Sequence, residues 1–171
     1  MTIEERLLKV ARNTILEAGY CFFITKDKMG RSNARLMQPF EPEENMAILF
    51  GTSPKSRKVQ EISENPNVTL AYFDPDEIAY VTLIGKAKAE KDIHKHWSQW
   101  GEKMRTFFPE GPECEDYIMI EFIPSRIELL SFTRDVLPES YLLKPDVLLR
   151  TNDGWVVEDD ENEVEEEFAN I

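Results

Sequence analysis

IAYVTLIGKAKAE, residues 78–90, is the stretch on which the fold turns. Aromatic and β-branched residues dominate its first half, which marks a strand. It is long for a strand, and Gly85 falls in its middle, where a glycine bends or bulges the chain. Just upstream, VTLAYF (68–73) reads as another strand, and DPDE between them is a turn. Downstream, DIHKHWSQWGEKM (92–104) reads as helical and FFPEGPECED (107–116) as a proline- and glycine-containing loop. YIMIEFI (117–123) and RIELLSF (126–132) are two further strands. VLLR and WVVE then flank TNDG, with Asp153-Gly154 as a hairpin signal.

Toward the N-terminus, Thr2 and Glu5 have the spacing of a capping box, and Leu7, Leu8, Ala11, Ile15 and Leu16 recur at helical spacing. Gly19 suits the position just past a helix end, so 3–18 is expected to be an amphipathic helix. YCFFIT (20–25), NARLMQPF (33–40) and NMAILF (45–50) read as strands. The inventory is six or seven strands with three modest helices, and the two types do not alternate. This argues against a doubly wound parallel sheet, and a mainly β fold is expected, a closed or partly closed antiparallel barrel with peripheral helices.

The 171 residues suffice for one domain with a sizeable core. Three segments are expected: a barrel domain over 1–133, an extension with a possible hairpin over 134–157, and an acidic, disordered tail over 158–171. No apolar run is long enough for a membrane span, and the N-terminus lacks a signal-peptide layout. A cytoplasmic protein is expected. Of the net charge of −13, eight negative charges lie in 158–171, leaving −5 elsewhere. Such acidity argues against nucleic acid as a partner. Cys21 and Cys114 are read as unpaired thiols, Cys21 in a buried run.

Against this acidity stands GTSPKSRKVQEI (51–62), where Lys55, Arg57 and Lys58 gather with no acid before Glu61. Thr52 or Ser53 can cap a helix there, Pro54 fits its first position, and Asn65-Pro66 ends it. Cations at a helix N-terminus oppose the dipole. A bound anion supplies a reason for them, and with the hydroxyls of Thr52, Ser53 and Ser56 they form a plausible phosphate cradle. The competing reading is a solvated basic first turn. The glycine pattern of a P-loop is absent.

Three segments in order, GRSNARLMQ (30–38), FGTSPKSRKVQEISENP (50–66) and YVTLIGKAK (80–88), resemble the pyridoxamine-phosphate-oxidase-like family of FMN-binding split barrels. HWSQWGEKMRTFFPEGPECEDYIMIEFIP (96–124) is similar to a run found in its general-stress-protein branch. The resemblance implies a six- to seven-stranded antiparallel split barrel that binds FMN as a homodimer, with cofactor sites at the subunit interface. It implies that Arg35, Leu36 and Met37 lie along the flavin edge and that Gly51 and Thr52 contact the isoalloxazine or ribityl region. Ser56, Arg57 and Lys58 would hold the phosphate, and residues around Tyr80 and the 107–111 loop of the second chain would close the site. Arg35 is the candidate for stabilising a reduced, anionic flavin. The implied activity is oxidoreduction of a small substrate or with a nicotinamide donor.

The departures point away from oxidation of pyridoxamine phosphate. Phe40 stands where the oxidases carry a lysine, and no counterpart of their arginine- and tryptophan-bearing C-terminal segment is legible. A flavin-binding stress-response protein without turnover is the alternative, as is the same fold holding deazaflavin or haem. His94 and His96 are read as surface histidines rather than metal ligands, and Trp97 and Trp100 as packing residues.

Overall fold

The computed structural model describes residues 1–92, 97–134, 136–137 and 144–158. The long strand is present as β5 (Ala79–Glu90), in an eight-stranded antiparallel sheet with β1 (Cys21–Lys26), β2 (Ser32–Met37), β3 (Ile48–Thr52), β4 (Asn67–Asp74), β6 (Ile118–Ser131), β7 (Asp146–Thr151) and β8 (Gly154–Val157). The order is β2-β1-β4-β5-β6-β7-β8, and β3 pairs with β6 beside this path. Two helices, α1 (Ile3–Ala18) and α2 (Arg57–Glu64), lie against the sheet. The architecture is the expected split barrel, with one strand more than the upper count.

The extra regularity comes from two places. The C-terminal hairpin adds β7 and β8 to the sheet edge. Its two-residue loop is Asn152-Asp153, with Gly154 opposite Thr151, rather than a turn centred on Asp153-Gly154. The stretches 117–123 and 126–132 are one strand, not two. Pro124 does not stop it, because the register slips there: Ile84 faces Arg126 while Gly85 faces Pro124, leaving Ser125 as the extra residue of a bulge. Glycine is required at 85, since a Cβ there would sit 2.1 Å from the Ile123 carbonyl oxygen. Bent in this way, β6 keeps β5 along one edge and gives its other edge first to β3, then to β7.

The capping box of α1 is present in full: Thr2 accepts from the Glu5 N–H, and Glu5 accepts from the Thr2 N–H. Gly19 at φ 66° ends the helix. Leu7, Val10, Ala11 and Ile15 are buried on the core side, where Phe23 and Phe50 meet edge to face at 5.1 Å. Burying each of these large side chains contributes about 1.5–3 kcal/mol. Arg12 on the same helix donates to the carbonyls of Pro42 and Glu43 and so pins the loop before β3.

Two expectations about helices are corrected. The helix after β3 begins at Arg57, with Ser56 at its N-cap. Thr52 closes β3, and Pro54 sits in a turn in which the Ser56 N–H bonds the Ser53 carbonyl. Proline suits the second position of such a turn as well as it suits a helix start. In 92–104, residues 97–99 are helical and a 3-10 turn covers Glu102–Thr106. His94 and His96 lie outside the described residues, as does the acidic tail beyond Glu158, which itself pairs with Arg126 at 2.6 Å. No helix among the described residues is long and apolar enough to cross a membrane.

Candidate functional site

The basic cluster resolves into three cations with different partners. Lys55 leaves it, its Nζ lying 2.9 Å from Asp116 Oδ1 on the surface. That pairing holds the Lys55 pKa above its usual value. Arg57, largely exposed, approaches Glu61 through Nε at 3.4 Å, one helical turn on. Lys58 is the exception. Its half-buried ammonium donates to Thr52 Oγ1 at 2.8 Å and has no acid within ion-pair distance among the described residues. Burial, and then the nearby Arg35 charge, push its pKa down, although Glu61 pulls the other way.

Arg35 joins this group from β2. Its guanidinium donates to Glu61 Oε2 at 2.9 Å, to Thr25 Oγ1 at 2.6 Å and to the Phe23 carbonyl at 3.2 Å. Glu61 is buried, and burial alone would raise its pKa. Hydrogen bonds from Thr25 and Arg35 and the charges of Arg35 and Arg57 more than offset this, so the pKa is lowered and the carboxylate stays ionised. Arg35, Arg57 and Lys58 against Glu61 leave a net +2, which matches a doubly charged phosphate monoester.

Ser56 supplies a further sign of fit. An N-cap serine ordinarily accepts from the N–H of the second or third helical residue. Here the side chain makes no cap bond, and its buried Oγ has no partner among the described residues. A buried hydroxyl left without a partner costs about 1–3 kcal/mol. A phosphate oxygen above the first turn would satisfy it, together with the N–H groups that any helix start leaves open. The residues present therefore fit a phosphate group.

Thr52 connects the cradle to a cavity of about 740 Å³. Leu36, Met37 and Gly51 line it on the sheet side, and Met104, Phe107 and Phe108 face them from the segment before β6. Behind this wall lies a small second core in which Tyr117 meets Trp100 and Phe108 edge to face, at 5.4 and 4.8 Å. Gly51 is needed for that packing, because a Cβ would lie 2.7 Å from Met104 Cε and 2.8 Å from the Tyr117 ring. A mostly apolar cleft of this size with a few polar groups at one end is the usual form of a cofactor site.

Of the residues singled out from the sequence, Leu36, Met37, Gly51 and Thr52 line the cavity. Arg35, Ser56, Arg57 and Lys58 form or adjoin the cradle. Arg35 reaches the cradle through Glu61 and Thr25; on β2 it shares its inward face with Met37, while Leu36 between them points to the outer face. Tyr80, expected to close the site from the second chain, lies away from its own chain's cradle and cavity, between Phe73 and Leu130 on the outer face of the sheet, and burial, then Glu128, raise its pKa. Glu61 was missed. It reads as an ordinary helix acid, and only its spacing of four from Arg57 hinted at an inward partner. Phe40 packs with the second core. Among the described residues no cluster of three His, Cys, Asp or Glu could hold a metal.

A basic cluster joined through Thr52 to an apolar cleft, on an antiparallel split barrel, places the chain in the class of split-barrel β-proteins. Residues 7–130 match the family model described as pyridoxamine 5'-phosphate oxidase like. The chain belongs to that family. General stress protein 26 of Bacillus subtilis (strain 168) is 30% identical over 105 residues, 60% of this chain and 73% of that protein. A protein related to general stress protein 26 from Clostridium acetobutylicum superposes with a TM-score of 0.68 at 18% identity, covering 77% of this chain and 92% of that one. A pyridoxamine 5'-phosphate oxidase-related, FMN-binding protein from Nostoc punctiforme PCC 73102 does so at 0.64 and 14%, covering 92% and 96%. At these identities the two structures speak to the fold alone.

Proposed function

We propose that the protein is an FMN-binding flavoprotein, an oxidoreductase acting on a small substrate or a nicotinamide donor. The observation that carries this is Lys58, a half-buried ammonium with no acid partner among the described residues, beside a Ser56 hydroxyl that likewise has no partner there, and joined through Thr52 to the cavity. Lys58, Ser56 and Arg57 bind the phosphate, while Leu36 and Met37 pack against the ring and Phe107 and Phe108 exclude water from it. FMN, when bound, supplies hydride or single-electron transfer. Membership of the pyridoxamine 5'-phosphate oxidase like family motivates the choice of cofactor, and a protein of the same fold from Nostoc is described as FMN binding.

The same reading makes the protein a cytoplasmic homodimer. Phe22, Leu36 and Phe73 stand more than half exposed on the outer face of the sheet, where Phe22 pairs with Leu36 and with Ala71. Apolar side chains grouped on a sheet face suit a self-complementary interface. Leu36 belongs to both the face and the cavity, which supports a site shared between subunits.

A second reading, a flavin-holding protein without turnover, is favoured by Phe40, which packs with the second core where the oxidases place a lysine. Stopped-flow mixing of the FMN-loaded protein with NADH or NADPH tests the second reading: reduction and reoxidation at catalytic rates rule out the carrier. The absorption spectrum of native protein tests the cofactor, with a flavin spectrum expected and a deazaflavin or haem spectrum overturning the choice. Light scattering of the purified chain tests the dimer.

A further inference from the structure

We propose that Glu61 is a positioning residue of the anion cradle, acting on the bound phosphate through Arg57. The ligand's identity as a phosphate monoester rests on the FMN reading above; the arrangement of the side chains does not.

Glu61 is almost fully buried on the inner face of α2, and its two oxygens are divided. Oε2 accepts from Thr25 Oγ1 and from Arg35 Nη2 at 2.9 Å. Oε1 accepts from Asn33 Nδ2 at 2.7 Å and is the oxygen that Arg57 approaches. Three donors from β1 and β2 thus fix the carboxylate, which offers one remaining edge to an arginine at the helix start. Arg57 is 69% exposed on its side chain. Without that contact it would sample many rotamers, and each would have to be surrendered when an anion binds. Partners that orient metal ligands change affinity by about 10–100-fold when removed, and a carboxylate that orients an arginine for an anion acts by the same means.

Two other roles predict different behaviour. If Glu61 merely anchored α2 to the sheet, its loss would lower stability and weaken any ligand of the cavity. If it acted only as a negative charge near the phosphate, its loss would tighten FMN binding. The geometry favours positioning, because the carboxylate held by Thr25, Asn33 and Arg35 still presents Oε1 to Arg57; glutamine at 61 would turn one of the two accepting positions into an NH2 that faces donors.

The test is a double-mutant cycle on the FMN-titrated apoprotein, with Glu61→Gln and Arg57→Ala, singly and together, read by quenching of flavin fluorescence. Riboflavin, which lacks the phosphate, is titrated in parallel. Glu61→Gln is expected to weaken FMN binding on the order of tenfold in the wild-type background. It should add little once Arg57 is alanine, and riboflavin affinity should hardly change in any of the four proteins. An equal FMN loss in both backgrounds, a parallel loss of riboflavin affinity, or tighter FMN binding overturns the proposal. If Glu61→Gln does not fold, Asn33→Ala takes its place in the cycle, with a smaller FMN loss that again disappears beside Arg57→Ala. Wild-type protein that fails to bind FMN overturns the cofactor reading and this proposal together. FMN binding with additive single effects overturns this proposal alone.

Discussion

Lys58→Met separates a cation kept for a ligand from one kept for the fold. In the apoprotein the ammonium gains one hydrogen bond, to Thr52 Oγ1 at 2.8 Å, worth about 1 kcal/mol. Against it stand partial burial and the nearby Arg35 charge, which together hold the Lys58 pKa down. Methionine keeps the length of the stem and removes both penalties. The two effects nearly cancel, so apoprotein stability should change by less than about 1 kcal/mol in either direction. At about 2–4 °C per kcal/mol for a chain of this size, the midpoint moves by no more than about 4 °C. Toward FMN the cancellation is absent. Lys58 is expected to donate a charged hydrogen bond to the phosphate, worth about 1.5–3 kcal/mol, so affinity should fall roughly 10- to 150-fold. Thermal unfolding of the apoprotein and fluorescence titration with FMN supply the two numbers. Unchanged FMN affinity would mean that the phosphate lies elsewhere. A loss of more than about 2 kcal/mol of apoprotein stability would mean that Lys58 is a structural cation.

Gly85→Ala would place a Cβ 2.1 Å from the Ile123 carbonyl oxygen and 2.7 Å from Pro124 Cα, both backbone atoms that cannot swing aside. It should cost about 3 kcal/mol or more and lower the thermal midpoint by roughly 6–12 °C, whereas a drop within 2 °C would contradict the close approach. Cys21 is buried with its thiol pKa pushed up to about 12, and Cys114 is partly exposed. A thiol reagent at neutral pH should therefore label at most one cysteine in the native protein and two after unfolding. The folded-state pKa of Glu61 is depressed, so its contribution to stability is present above the ordinary carboxylate pKa and is lost as pH falls through the folded value. Acid unfolding of Glu61→Gln should therefore depend less on pH below about 4.5 than that of the wild type, and equal slopes would contradict it.

The sequence made most of the frame legible where one local signal met one local need. Thr2, Glu5 and Gly19 mark the ends of α1, and the run around Gly85 marks the bent strand. What escaped depended on partners distant in sequence. Pro124 looked like a strand break, yet it falls at the bulge opposite Gly85, where no ladder hydrogen bond from its nitrogen is required. The strand expected at 45–50 begins at Ile48, because Asn45 accepts from the Ala47 N–H and Met46 turns at φ 66°. At the site, the cation cluster was visible but its division was not. Asp116 claims Lys55 from 61 residues away, and Glu61 draws in Arg35 from 26 residues before it. Periodicity carries no trace of pairings at such separations.

Titration of the apoprotein with FMN, beside riboflavin under the same conditions, tests the central claim most directly. Saturable binding of one FMN per chain at micromolar concentration or below is expected. Riboflavin should bind at least about tenfold more weakly, because it forfeits the charged hydrogen bonds of the cradle. Absence of saturable FMN binding, or equal affinity for the two flavins, would contradict the account.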